Sequence, residues 1–276
     1  MAEFSVPFTL VTPAGNITFN GTGDGFYLTE VVGLDGADLR KPVEPLPQTD
    51  ASIVRRGFRS GKTVTLRGYI RADAGTTTRR GYEDTLRGYV DRLIRPTATE
   101  LVSSCRLRFT PSGYSDERML DAVELVAPVA ITGAWMKTFE FTLASPFPYT
   151  QDLTQTATVI ASGGSATVTN SGNTPSFPVI QVNATAANTA NGSLFTTGTV
   201  ANSTTGLSIV FTAGVAASHY AEVNTLKKTV FTDGNGANLL GNLNFTSTTF
   251  WQLLPGSNTV TATSVPIVVL SNNAWA

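Results

Sequence analysis

The chain is 276 residues long, carries a formal net charge of −1 and is 41% hydrophobic. That length allows one large domain or two ordinary ones, and the charge balance gives no global attraction to nucleic acid or anionic lipid. A single cysteine, Cys105, excludes an intrachain disulfide, and no apolar run approaches the roughly 18 residues that span a bilayer. Residues 1–10 lack a basic segment followed by a long apolar run, so a chain without a signal peptide, soluble and made inside the cell, is expected.

In chain order, the first candidates are strands over Val11 to Phe19 and Thr63 to Arg71, rich in β-branched and alternating residues. Between them, Lys41 to Pro47 holds three prolines and reads as an extended loop, unfit for a central strand or a helix interior. The one helix is predicted over Arg79 to Ile94, where Tyr82, Leu86, Val90 and Leu93 recur at helical spacing. Thr77 or Thr78 suits its N-cap, Glu83 and Asp84 its early turns, and Arg95-Pro96 its end. Gly81 and Gly88 each weaken it by about 1 kcal/mol relative to Ala, so packing must hold it. Strands follow over Cys105 to Thr110, Leu120 to Val126 and Thr138 to Ala144; Phe139, Phe141 and Leu143 share one face at period two.

Pro146 and Pro148 end this series and place a domain boundary near residue 150. Short strands then recur over Ser165 to Asn170, Pro178 to Asn183, Gly206 to Thr212, Lys228 to Thr232, Asn258 to Thr263 and Pro266 to Leu270. Turn signals separate them at Asn191-Gly192, residues 233–236 and Pro255-Gly256. This spacing, without helical periodicity, predicts an antiparallel β-sandwich. No fixed-period repeat points to a solenoid or propeller.

The charges divide at the same boundary. Residues 1–150 hold 17 Lys/Arg and 17 Asp/Glu; residues 151–276 hold Lys227, Lys228, Asp152, Glu222 and Asp233, with 49 Ser, Thr and Asn among 126 residues. One domain stays in solution through ions and the other through hydroxyls and amides. In the first, 14 Arg outnumber three Lys, with Arg55, Arg56 and Arg59 close together and Arg79-Arg80 opening the helix. Nucleic-acid binding is the competing reading, but the equal acid count points to ion pairs across a protein–protein interface.

No motif carries chemistry. His219 is the single histidine, and its neighbours form no nucleophile motif. Zinc lacks the four Cys/His ligands a structural site requires. Asp152, Glu222 and Asp233 stand out in a weakly charged domain, yet Glu222 reads as an outward strand residue and Asp233 as a turn residue. The run from Asp233 to Asn238 begins like a calcium loop, but Asn244 stands where the bidentate Glu belongs. The glycines at 21, 23 and 25 lack the spacing and helix of a dinucleotide fingerprint. Sequons at Asn16, Asn20, Asn183, Asn191, Asn202 and Asn244 follow from Asn/Thr-rich composition. No catalytic, cofactor-binding or metal-ligating residue is assigned, and no cofactor is expected.

The order of elements resembles the distal tail proteins of long-tailed (siphovirus-type) bacteriophages. Similar features are the strand over residues 59–70, the helix ending at Leu93-Ile-Arg-Pro96, residues 118–125 and the closing residues 139–148. In the second domain they are residues 170–180, 222–230 and 251–258, with Asn224 where many relatives carry an acid. The resemblance implies a mainly β fold: a belt domain with one α-helix (1–150), then a galectin-like antiparallel β-sandwich (151–276). It also implies a non-enzymatic hub at the tail tip or baseplate of a virion assembled in the bacterial cytoplasm. A homo-hexameric ring would join tail tube protein to tip or receptor-binding proteins, with DNA only passing through its lumen and no insertion into membrane. The alternative is a carbohydrate-binding adhesin acting through the sandwich. Trp251 is expected in the core and Trp275 exposed, which makes Trp275 the candidate glycan contact. A cell-wall hydrolase is a third class, lacking an acid–base constellation.

Overall fold

The computed structural model describes residues 7–12, 15–23, 25–34, 39–40, 43–45, 52–54, 58–59, 61–72, 78–94, 105–111, 115–121, 123–133, 137–233 and 236–275. The chain divides into two units, Met1–Leu153 and Thr154–Trp275.

The first unit is built on one broad sheet. Its strands run, in spatial order, Glu124–Thr132, Lys137–Ser145, Lys62–Arg71, Gly25–Val32, Gly15–Phe19, Phe8–Thr12, Arg106–Phe109, Arg118–Leu120 and Thr150–Asp152. Neighbours are antiparallel except Gly15–Phe19 and Gly25–Val32, which meet in parallel at Phe19 and Phe26. The predicted single strand over Val11 to Phe19 is instead a hairpin, with Thr12 opposite Gly15 and Phe8 opposite Phe19. The buried set shifts from even positions (Phe8, Leu10, Thr12) to odd ones (Ile17, Phe19) between the two strands, a change of phase that the apolar pattern over Val11 to Phe19 did not reveal.

Alternation sends Val64, Leu66, Ile70, Phe139, Phe141 and Leu143 to one face, where they join Phe8, Leu10, Ile17, Phe19, Phe26 and Leu28. The helix Arg79–Ile94 contributes buried Leu86 to this core, and Tyr82 meets Phe26 edge-on at 5.7 Å. Thr78 caps it, its hydroxyl accepting from Gly81 N at 3.2 Å. The side chains of Val90 and Leu93 lie outside the described residues. Lys137 and Glu83 add an ion pair at 3.1 Å between helix and sheet.

Gly68 occupies a core-facing position in Lys62–Arg71. A Cβ there would lie 2.0 Å from Tyr27 O and 2.6 Å from the Phe139 ring. Only a missing side chain lets the irregular pairing between Leu28 and Glu30 coexist with Phe139. Within the proline-rich segment, Val43–Pro45 pairs with Ser52–Val54 in a two-stranded ribbon, so part of the expected loop is strand. A ribbon strand leaves one side unpaired and tolerates proline.

The second unit is an antiparallel sandwich. One sheet has five strands ordered Thr156–Ile160, Ile267–Ser271, Val179–Val182, Ala221–Asn224 and Thr229–Thr232; the other has four, Ser165–Asn170, Gly256–Thr263, Gly198–Asn202 and Leu207–Phe211. Its core contains Ile180, Val200, Ile209, Phe211, Val223, Val260, Ile267 and Trp251. Trp251 is buried as expected and donates its indole N–H to Val200 O at 3.4 Å. Buried amides close the turns. Asn183, at φ 70°, donates to the carbonyls of Ser193 and His219, and Asn202 donates to Gln252 O. Two of the sequon asparagines, Asn183 and Asn202, are thereby buried.

Candidate functional site

The face of the first sheet opposite its core is ordered in rows across the strands. Glu30, Arg67 and Glu140 stand directly opposite one another on three adjacent strands. Arg67 grips Glu140 with two nitrogens, Nε at 3.0 Å and Nη2 at 3.2 Å, and reaches Glu30 through Nη1 at 2.8 Å. The hydrogen bonds to Glu140, then those to Glu30, hold the guanidinium pKa above its ordinary value. Two carboxylates against one guanidinium leave this row one negative charge. In the next row Tyr27 stacks on Tyr69 at 5.3 Å. On the other side, Thr65 and Thr142 share a hydroxyl hydrogen bond at 3.0 Å, and Val32, opposite Thr65, is 48% exposed. Val126, 61% exposed, sits at the irregularity where Glu124–Thr132 meets Thr142. This face combines both charges, aromatic rings and exposed valines on a β framework.

The arginine enrichment was expected to serve contacts with other proteins. Arg67 and Arg106 instead pair within their own unit, Arg106 with Asp121 at 2.9 Å. Their partners are distant in sequence, so composition alone suggested intermolecular pairing. The side chains of Arg55, Arg56 and Arg59 lie outside the described residues.

In the sandwich, His219 Nδ1 and Asp233 Oδ1 are 2.8 Å apart. Asp233 N also donates to Tyr220 O, so the pair fixes the start of a turn as Asp233 was expected to do. Burial first, then the charges of Glu222 and Asp233, raise the pKa of Tyr220. Glu222 lies in Ala221–Asn224 between buried Ala221 and Val223, pointing away from the core. Asp152 belongs to Thr150–Asp152 in the first unit, whereas Glu222 and Asp233 belong to the second. Among the described residues no group of three or more His, Cys, Asp or Glu is placed to hold a metal ion. Trp275, expected to be exposed, is partly buried in the short strand Ala274–Trp275. Phe245, which sequence reasoning passed over, is 65% exposed. Its one signal was an aromatic residue set in a run of Asn, Thr and Ser.

No protein-family model and no curated protein sequence matches the chain. Among solved structures, it superposes on SPP1 Dit (gp 19.1), described as a paradigm of the hub adsorption apparatus in phages infecting Gram-positive bacteria. The TM-score is 0.65 at 14% identity, over 98% of this chain and 99% of that one. The chain shares the fold of SPP1 Dit. A chain of the phage p2 baseplate in its activated conformation with Sr also matches, at TM-score 0.54 and 10% identity over 96% and 97% of the two chains. The calcium-bound form of that baseplate matches at 0.53. Both units of the chain are thus covered by these matches. No helix among the described residues is long and apolar enough to cross a membrane.

Proposed function

We propose that the chain is a structural, non-enzymatic hub of a phage tail tip, with six copies closing into a ring. Tail tube protein would dock on one side of the ring and tip or receptor-binding proteins on the other, while DNA crosses the lumen. The carrying observation is the end-to-end match to a hub protein, covering 98% of this chain and 99% of that one. A match to one unit alone would support only a common sheet or sandwich architecture.

Charge and topology support assigning ring formation to the first unit. Head-to-tail contact between two different patches of one chain closes into a ring when the rotation permits. A sheet face bearing carboxylates, guanidinium, tyrosines and exposed valines has the mixed chemistry such patches need. The sandwich, in this reading galectin-like, carries only four formal charges, Glu222, Lys227, Lys228 and Asp233, and has little with which to specify an ionic contact. Exposed ion pairs give about 0–1 kcal/mol each, so apolar burial supplies most of the ring's affinity.

The test is mass by light scattering on residues 1–153 and 154–276 made separately. The first fragment is expected to oligomerise, up to a hexamer, and the second to stay monomeric. The reverse result refutes the assignment.

A further inference from the structure

We propose that the sandwich binds a neutral saccharide, with Phe245 as its stacking platform. This goes beyond the hub reading and does not depend on it.

Among the described aromatic side chains Phe245 alone is exposed; Phe195, Phe211, Tyr220 and Trp251 of the same unit are buried. A solitary exposed apolar residue is ordinary on a protein surface. Phe245 differs in the framework that holds it. Its segment lies along Leu207–Phe211, the last strand in its sheet, and is fastened there on both sides of the ring. Asn244 N donates to Val210 O at 2.9 Å, and Thr249 N to Ser208 O at 2.7 Å. The Thr248 hydroxyl accepts from Val210 N at 3.0 Å, and the Ser208 hydroxyl donates to Ser247 O at 3.3 Å. Asn244 Oδ1 accepts from Thr246 N at 3.1 Å and closes the turn that carries Phe245. The ring's backbone is therefore fixed before any ligand arrives, which lowers the ordering cost of binding.

The surroundings select the ligand class. Residues 153–221 and 234–276 contain no Asp, Glu, Lys or Arg, so strand and loop offer no counter-charge to a phosphate polymer, a nucleic acid or a charged peptide. They offer hydroxyls instead, since Thr246, Ser247 and Thr249, which follow Phe245 in the chain, are exposed. A neutral pyranose matches both features. Its C–H face carries partial positive charge and meets the negative π-face of the phenyl ring, while its hydroxyls exchange hydrogen bonds with Thr and Ser. Trp275, by contrast, is partly buried.

Saturation-transfer difference NMR on the full chain provides the test, with maltohexaose, laminarihexaose and chitohexaose as neutral probes and heparin as the anionic one. At least one neutral probe is expected to show transfer to its ring C–H protons. Its affinity should fall about tenfold or more in Phe245→Ala and persist in Phe245→Trp. It should also persist in Leu194→Ala and Trp275→Ala, and in about 0.5 M NaCl, since no charge is involved. Thermal melting of Phe245→Ala and Phe245→Trp should match that of the parent chain. Silence from all three neutral probes overturns the proposal. So does binding that survives Phe245→Ala, binding lost in Trp275→Ala, or binding of heparin alone with salt sensitivity. Capture of a protein partner through Phe245 without any saccharide signal overturns it as well.

Discussion

Replacing Gly68 with Ala tests whether the first unit is held by the close fit of three strands around that residue. The added Cβ would stand 2.0 Å from Tyr27 O, 2.9 Å from Tyr27 C and 2.6 Å from Phe139 Cζ. Two of these atoms are backbone, so a rotamer change in Phe139 cannot relieve the clash. Gly25–Val32 must move away from Lys62–Arg71, although Phe26 opposite Ile70 and Val31 opposite Leu66 hold the register on both sides. Overpacking of this kind costs about 1–3 kcal/mol, and losing two ladder hydrogen bonds adds about 1 kcal/mol each. The sum, about 3–5 kcal/mol, is a large share of the roughly 5–15 kcal/mol that stabilises a domain. For a unit of this size it lowers the melting temperature by about 10–20 °C. Scanning calorimetry of the full chain should show this in one transition, with the sandwich's transition unmoved. A Gly68→Ala chain within about 1 kcal/mol of the parent would refute the packing argument. Equal movement of both transitions would refute the independence of the two cores.

Further predictions address the other structural claims. Trp251→Ala should cost about 3–5 kcal/mol through the cavity left in the sandwich core, and calorimetry should show the loss in that unit's transition alone. Arg67→Glu would set three carboxylates side by side, so the first unit's melting temperature should fall and partly recover in high salt; a salt-independent loss would contradict the ion-row account. Burial raises the Tyr149 pKa above its ordinary value. The folded state therefore favours the neutral phenol, and this contribution is complete below pH about 10 and lost as pH climbs beyond it. Tyr149→Phe should flatten the alkaline decline in the urea midpoint, and an unchanged slope would dismiss Tyr149 as its source.

Where structure depends on local periodicity, the sequence was legible. The helix Arg79–Ile94 and its Thr78 cap were readable because apolar spacing and N-cap chemistry involve near neighbours. Ser165–Asn170 was readable for the same reason, and the expected strand over residues 206–212 differs from Leu207–Phe211 only at its ends. Gly25–Val32 was missed because it opens in a glycine-rich segment and carries an irregular pairing that breaks alternation. The Glu30–Arg67–Glu140 row was not legible, since it joins residues 37 and 73 apart in the chain. Phe245 was also passed over, because nothing local separates an exposed phenylalanine from a buried one in a Thr-rich strand protein. Its exposure follows from how the segment after Leu243 is fastened along the sheet edge.

The central claim is that this chain closes into a ring, and direct imaging of the purified full-length protein by single-particle electron microscopy tests it. The account predicts sixfold class averages with an open channel wide enough for duplex DNA, formed by the first unit. Monodisperse single copies across the concentrations used, or a closed assembly without a channel, would contradict it.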